Sequence, residues 1–513
     1  MLGIVKSFGS VRALDSVDFE LPRNEVHVLA GENGAGKTTL MNVLAGLYGA
    51  DAGSIEIDGA AVTIGSPRDA IDVGIGMVHQ HFELVGSLTA LDNVILGREG
   101  GGWRIDHAAL RRAVQSVMEQ FGVVVNLDTP VRELSIGEQQ KIEILKSLYQ
   151  GAKVLILDEP TTHLTPQEVD GLFGTIRTLL GGGLTVVLIT HKLREIRGIG
   201  DRVTVMRRGR VVGSAKQLDV TEAELVEMLM GERETPMVNQ VNSPVAVFTT
   251  TPLLELRGVT APRPDGHPVV DDCSLVVNRG EIVGVAGVAG NGQRELAECI
   301  MGLRSVEQGD VTLNGSTVTN ANVGERIRAG LAYIPEDGIG EGILPHASVS
   351  DTMILGPHLL LGGGSWFFDD GRARELTRAA VKRYAVATPS EHTATARLSG
   401  GNIQKLLIAR AMLLTSLVPS SVLIAMNPTR GLDIRTSQFV HQQLLELRAG
   451  GNAVLLVSED LDELLRLTDR LVVMYRGRIA GQFSKPEFDA YRIGALMAGG
   501  DAGHQPEGTS PGH

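Results

Sequence analysis

The feature that most constrains this chain is that it is written twice. "GENGAGKTTL" at 31–40 aligns without a gap on "GVAGNGQREL" at 287–296. "GIGMVHQHF" (74–82) matches "GLAYIPEDG" (330–338), and "LSIGEQQKIEILKSL" (134–148) matches "LSGGNIQKLLIARAM" (398–412). "DRVTVMRRGRVVG" (201–213) matches "DRLVVMYRGRIAG" (469–481). The offset is 256 residues from Gly31 to Gly287 and 268 from Asp201 to Asp469. A period this long is a domain duplication rather than a solenoid. Whatever one half folds into, the other must fold into as well.

The boundaries follow. Residues 1–230 form the first domain and 253–498 the second. The stretch "GERETPMVNQVNSPVAVFTTTP" (231–252) is rich in Thr, Asn and Pro without helical period, and reads as a linker. The small, polar stretch 499–513 reads as a disordered tail. Within each half, short continuous apolar runs end in glycine or polar residues: "EVHVLAG" (25–31), "KVLILDEP" (153–160) and "LTVVLITH" (184–191). Runs of this length fit strands buried on both faces. Helical patterns lie between them, at Lys37–Leu47 and Glu138–Tyr149 among others. The alternation predicts two α/β domains, each with a helical insert, near 88–135 and 349–397.

Composition narrows the class. No apolar run approaches the roughly 18 residues a membrane span needs, and "MLGIVKSFGS" lacks a signal core. A net charge of −13 argues against nucleic acid as the main partner. The two cysteines, Cys273 and Cys299, have no metal-like spacing and read as small buried hydrophobes.

The first copy carries chemistry. Gly31–Thr38 fits G-x-x-x-x-G-K-[ST] between a predicted strand and a predicted helix, the context a phosphate loop requires. The glycines let backbone N–H groups close around phosphates, and the helix N-terminus adds a positive dipole end. Lys37 is placed to reach the β- and γ-phosphates and Thr38 to ligate Mg²⁺. "LILDEP" (155–160) ends a strand in two acids, Asp158 for the metal and Glu159 for the attacking water. His191 ends a third strand. Ser135 and Glu138 have capping-box spacing before a helix.

These pieces, in this order, resemble the ATP-binding-cassette ATPases: phosphate loop 31–38, Q-loop Gln80, the "LSIGE" signature, "LILDEP" and the switch residue His191. The second copy repeats the order with "LSGGN", "PTRGLD" (428–433) and "VSEDLDEL" (457–464). The chain looks like the fused two-cassette energising subunit of bacterial importers for simple sugars and nucleosides. "GMVHQHFELVGSLTALDNVILG" and "GNGQREL" favour the nucleoside branch over the sugar branch. The fold this implies is α/β, with tandem phosphate-loop ATPase domains, each bearing a helical subdomain.

The resemblance further implies that the cassettes pair head to tail within the chain, each phosphate loop facing the other cassette's signature. Site one then takes ATP on Phe8 (stacking on adenine), Gly31, Glu32, Asn33, Gly34, Ala35, Gly36, Lys37, Thr38 and Thr39, with Ser399, Gly400 and Gly401 from the other copy. Lys37, Gln80, Glu159 and His191 carry catalysis, and Thr38, Gln80 and Asp158 hold Mg²⁺. Site two takes Gly287, Gly290, Gly292, Gln293 and Arg294 with Ser135 and Gly137. Two membrane permease subunits and an extracytoplasmic substrate-binding protein are the implied partners, with this chain peripheral on the cytoplasmic face. Phe82, Leu84 and Leu88 are candidates for the permease-docking groove. A soluble two-cassette protein acting on ribosomes is the rival reading. It is disfavoured by the acidic chain and the short linker.

Site two is altered at every chemical position. Gln293 and Arg294 replace Lys37 and Thr38; Met426 and Asn427 replace Asp158 and Glu159; Glu336 replaces Gln80 and Glu459 replaces His191. A thioether is too soft a ligand for Mg²⁺, and the two added acids are expected to repel phosphate. The intact loop's own copy carries the modified signature, with Ile136, while the altered copy keeps "LSGG". The sound halves therefore belong to one site. Thr165 stands where many cassettes have an aspartate that Asp433 keeps, and Ile403 interrupts a usual polar pair.

Overall fold

The computed structural model describes residues 1–9, 11–31, 34–80, 82–98, 106–162, 164–190, 192–216, 219–230, 251–263, 267–361, 370–432 and 434–499. Most of the expected linker, the tail beyond Gly499, and Glu32, Asn33, His191 and Asp433 lie outside these. The chain divides into two compact units, Met1–Gln240 and Val241–His513.

In the first unit the strands are β1 (Leu2–Phe8), β2 (Val11–Val17), β3 (Val26–Gly31), β4 (Ala52–Ile57), β5 (Ala60–Val62), β6 (Ile75–Val78), β7 (Val154–Asp158), β8 (Thr185–Thr190), β9 (Arg202–Arg207) and β10 (Arg210–Lys216). The helices are α1 (Lys37–Leu44), α2 (Pro67–Asp72), α3 (Ala90–Ile95), α4 (His107–Phe121), α5 (Ile136–Tyr149), α6 (Pro166–Gly181), α7 (Leu193–Ile199) and α8 (Glu222–Met230). A six-stranded sheet runs β10-β9-β3-β8-β7-β6 and is parallel except for β10. A smaller antiparallel sheet runs β2-β1-β4-β5.

The central strands are buried on both faces, as continuous apolar runs require. Successive residues alternate sides. Val26, Val28 and Ala30 of β3, with Val186 and Leu188 of β8, join the core beneath α3–α8. Leu29, Val187 and Ile189 join the core shared with α1 and the small sheet. Helices α3 and α4 fall within the span expected for the helical insert, and α5 begins just after it, at Ile136. The helix expected over Lys37–Leu47 ends three residues earlier, because Ala45 caps α1 and Gly46 turns the chain at φ 73°.

The second unit repeats the plan. Its strands are β11 (Pro252–Pro262), β12 (Pro268–Asn278), β13 (Ile282–Ala286), β14 (Gln308–Leu313), β15 (Ser316–Thr317), β16 (Leu331–Ile334), β17 (Val422–Met426), β18 (Ala453–Val457), β19 (Arg470–Tyr475) and β20 (Arg478–Ser484). Its helices are α9 (Gln293–Met301), α10 (Val323–Arg328), α11 (Val349–Ile354), α12 (His358–Leu361), α13 (Asp370–Arg383), α14 (Gly400–Leu417), α15 (Ile434–Ala449), α16 (Leu461–Leu467) and α17 (Ala490–Met497). The sheet order β16-β17-β18-β13-β19-β20 is that of the first unit, strand for strand. Among the described residues no helix is long and apolar enough to cross a membrane. Cys273 and Cys299 are buried free thiols, and burial pushes each up to a pKa of about 11.

Candidate functional site

The sheet order of the first unit puts the C-terminal ends of β3, β8 and β7 side by side. In an open parallel sheet that edge is where ligands bind. The chain leaves β3 at Gly31, β8 at Thr190 and β7 at Asp158.

The loop after β3 reaches α1 through Gly36, which is left-handed at φ 101°. A Cβ there would meet the Ala13 carbonyl oxygen at 2.8 Å, so only glycine fits without displacing backbone. Lys37 opens α1 and is 5% exposed; its Nζ donates to the Gly31 carbonyl at 2.7 Å. The first-turn N–H groups of a helix lack intrahelical acceptors and face the loop. The Thr38 hydroxyl hydrogen-bonds the buried Asp158 carboxylate. Burial raises the Asp158 pKa above its ordinary value; the bond from Thr38 works against the shift and the neighbouring Glu159 charge adds to it.

Glu159 sits at φ 46°, an unfavourable backbone region for a side-chain-bearing residue. Its N–H donates to Ile189 O of β8 at 3.0 Å, and Gln80 Nε2 donates to its Oε2 at 3.2 Å. The sequence alone shows Gln80 as a polar loop residue, and the fold brings it onto the expected catalytic acid. Phe8 ends β1 half exposed, edge-on to Tyr48 with ring centroids 5.3 Å apart.

The second unit reproduces this frame with other chemistry. Gly292 has φ 101°, as Gly36 does. Gln293 Nε2 donates to Val288 O at 3.1 Å, so the side chain is folded into its own loop. Arg294 is held by Glu298 Oε1 at 3.1 Å and by Glu341. Met426 is buried in the core. Asn427 stands at φ 42° with its N–H on Val457 O at 2.8 Å, matching Glu159 on Ile189.

The acid and amide have changed places. Asn427 Nδ2 donates to Glu336 Oε1 at 3.1 Å, the reverse of Gln80 donating to Glu159. The expectation that Glu336 adds repulsion needs correction, because Arg430 Nη1 pairs with it at 2.5 Å. Arg430 and the reversed pair were missed from sequence. The basic residue in "NPTRG" was the available signal.

The two signatures also differ. Ser135 caps α5 and donates to Glu138 Oε2 at 2.9 Å, and a Cβ on Gly137 would meet Glu168 Oε1 at 2.9 Å. A cavity of about 270 Å³ opens here between α5 and α6, flanked by the Glu138 and Glu168 carboxylates and by Lys141. In the second unit Ser399 stands at the N-cap position of α14 without a side-chain capping bond, and its hydroxyl oxygen accepts from Asn402 Nδ2 at 2.9 Å. Nothing lies within 4 Å of a Cβ placed on Gly400 or Gly401. Of the apolar groove candidates, Leu84 packs on the core, while Phe82 and Leu88 are partly exposed.

Comparison with known proteins agrees with this frame. A family model for ABC transporters matches residues 14–162 and again 270–429. The glucose import ATP-binding protein of Haloferax volcanii is 40% identical, the match covering 98% of this chain and 95% of that protein. The nucleoside import ATP-binding protein of Lactococcus lactis is 37% identical over 98% of both chains, and the guanosine import ATP-binding protein of Bacillus subtilis 40% identical over 97% of both. With the cassette frame present in both units and full-length relatives at this identity, the chain belongs to the ABC transporter family, as a two-cassette ATP-binding subunit and ATPase.

Proposed function

We propose that this chain hydrolyses ATP at one composite site and so drives import of a nucleoside through a membrane transporter. The observation that carries the reading is the asymmetry between the units. Lys37, Thr38, Asp158, Glu159 and Gln80 converge in the first. Every counterpart in the second is replaced: Gln293 and Arg294 are tied to other partners, Met426 is packed in the core, and Asn427 and Glu336 bond each other with acid and amide exchanged.

In this reading the cassettes span 1–230 and 253–498. The first offers its loop and Glu159, and the second lends Ser399, which is exposed, with Gly400 and Gly401, where an added Cβ would meet no neighbouring side chain. Backbone N–H groups and Lys37 bind the phosphates, Phe8 stacks on the base, and His191 contacts the γ-phosphate. Glu159, oriented by Gln80, holds the attacking water. Thr38 and Asp158 are hard oxygen ligands already in contact, and with Gln80 they fit a Mg²⁺ that keeps several waters. When bound, that ion neutralises charge on the phosphates. The second loop, with Gln293, Arg294 and Met426, lacks such a donor set.

The chain works at the cytoplasmic face with two permease subunits and an external binding protein that captures cargo. The names of the Lactococcus and Bacillus relatives support a nucleoside. The Haloferax relative, equally similar, favours a simple sugar as the second reading. Uptake of labelled nucleosides, pentoses and hexoses in cells carrying Glu159→Gln separates them. Selective loss of nucleoside uptake is expected. Selective loss of a sugar would reassign the cargo, and no change in any uptake would overturn the importer reading.

A further inference from the structure

Behind the catalytic strand ends lies a buried carboxylate that the reading above does not use. Glu195, in the first turn of α7, is 4% exposed. The Thr161 hydroxyl donates to its Oε1, and the Thr190 hydroxyl donates to its Oε2 at 2.5 Å. Thr161 lies two residues past Glu159, and Thr190 is the last residue of β8, next in sequence to His191. Both threonines are buried. The Thr190 oxygen also accepts the Lys192 N–H at 3.1 Å, so the hydroxyl accepts from the backbone while it donates to Glu195. Lys192 Nζ stands 3.5 Å from Oε1 and balances the charge. One carboxylate thus bridges the turn that carries Glu159 to the end of the neighbouring strand.

The second unit supplies a natural control. Glu463 and Thr429 occupy the places of Glu195 and Thr161, and Thr429 donates to Glu463 Oε1 at 2.8 Å. There the bridge stops. The same oxygen is shared with His441 Nε2 at 2.8 Å, at the place of Phe173 in the first unit. Ser458, at the place of Thr190, accepts the Asp460 N–H at 3.1 Å. Glu463 Oε2 is buried without a partner among the described residues. Yet β17 and β18 keep the pairing of β7 and β8, and Asn427 keeps the strained turn of Glu159. The fold therefore does not require the closed bridge. It is closed in the unit with the intact loop and open in the altered one.

We propose that Glu195 is a positioning residue for hydrolysis, clamping the Glu159 turn to the end of β8 so that groups on both strand ends meet the same phosphate. This rests on the assignment of Glu159 above. Reacting geometry is sensitive at this scale, since a misplacement of about 1 Å costs roughly 10²-fold in rate.

The test is steady-state ATP hydrolysis by the purified full-length chain, with wild type and Glu159→Gln as references. Thr190→Val and Thr161→Val each remove one hydroxyl at nearly constant volume, Thr161→Ser keeps it, and Thr429→Val is the mirror change. Expected are a roughly tenfold fall in kcat with KM for ATP within twofold for the two first-unit valine variants, rescue by Thr161→Ser, and no change for Thr429→Val. Thermal melts normalise kcat to folded protein. If Glu159→Gln is inactive while both first-unit valine variants match wild type per folded molecule, the clamp is overturned and the site stands. If Thr161→Ser falls as far as Thr161→Val, the clamp is likewise overturned. If Glu159→Gln hydrolyses like wild type, the site assignment falls and the clamp with it.

Discussion

The loop-and-acid regions of the two units share a backbone and differ in nearly every reacting side chain. Gly36 and Gly292 have the same φ, and Glu159 and Asn427 share a left-handed turn pinned to the adjacent strand. In the first unit Gln80 donates to a carboxylate, Glu159, at the end of β7. Glu336 and Asn427 keep the hydrogen bond and move the carboxylate to the other strand's loop, where Arg430 neutralises it. The lesson is that this frame is maintained by backbone pairing and packing, and the chemistry is carried on it as replaceable side chains. The second site keeps the backbone shape of the first although the side chains on it are replaced.

The sharpest way to break the comparison is at the acid. Glu159→Gln gives the first unit an amide where the second has one, and ATP hydrolysis by the full chain should fall by roughly 10²- to 10⁴-fold while nucleotide still binds. Asn427→Glu alone should restore nothing, because Met426 and Gln293 remain; a gain in phosphate release would show that the second site needs only a base. Next comes the loop. Lys37→Ala should lower kcat by roughly 10²- to 10³-fold, and Gln293→Ala should leave it within twofold. Equal losses from the two would mean that both sites turn over.

A third difference is acid sensitivity. His27 of β3 is fully buried, its Nε2 2.8 Å from Thr204 Oγ1, and the matching residue in the second unit is Val283. Burial, with the Arg202 charge adding, lowers the His27 pKa from 6.5 to about 3. The unfolded chain takes up a proton near pH 6.5 that the folded unit refuses. Its contribution to stability is therefore complete above 6.5 and drains away as pH falls toward 3. Thermal melts between pH 7.5 and 5 should show His27→Val losing less stability on acidification than wild type. Parallel slopes would place the acid-labile group elsewhere. The smallest effect belongs to Arg430→Ala. The Arg430 side chain is 42% exposed and its ion pair is screened by water, so the loss should be at most about 1 kcal/mol in denaturant titration, with hydrolysis unchanged.

Much was legible in the sequence because it was local. The strand ends at Gly31 and Asp158, the loop opening α1, the capping Ser135 and the helical inserts follow from contiguous residues and their periods. The duplication also exposed each replaced residue by alignment with its intact counterpart. What the sequence did not reveal was long-range and electrostatic. Gln80 and Glu159 are 79 positions apart, and Arg430 and Glu336 are 94 apart. Which amide meets which acid depends on strand order, and strand order is set by how crossovers bury both sheet faces. The same holds for Glu195. Its sequence surroundings resemble those of Glu463, and it is the hydrogen bonding of Thr190, Ser458 and His441 in the fold that shows one bridge closed and the other open. The sequence by itself determined that there are two cassettes and which of them carries the full phosphate-loop motif, because residue type and near-neighbour spacing carry that information. The tertiary structure decided who neutralises whom at the strand ends, because charges and hydrogen bonds there act over a few ångströms between segments that the chain leaves far apart.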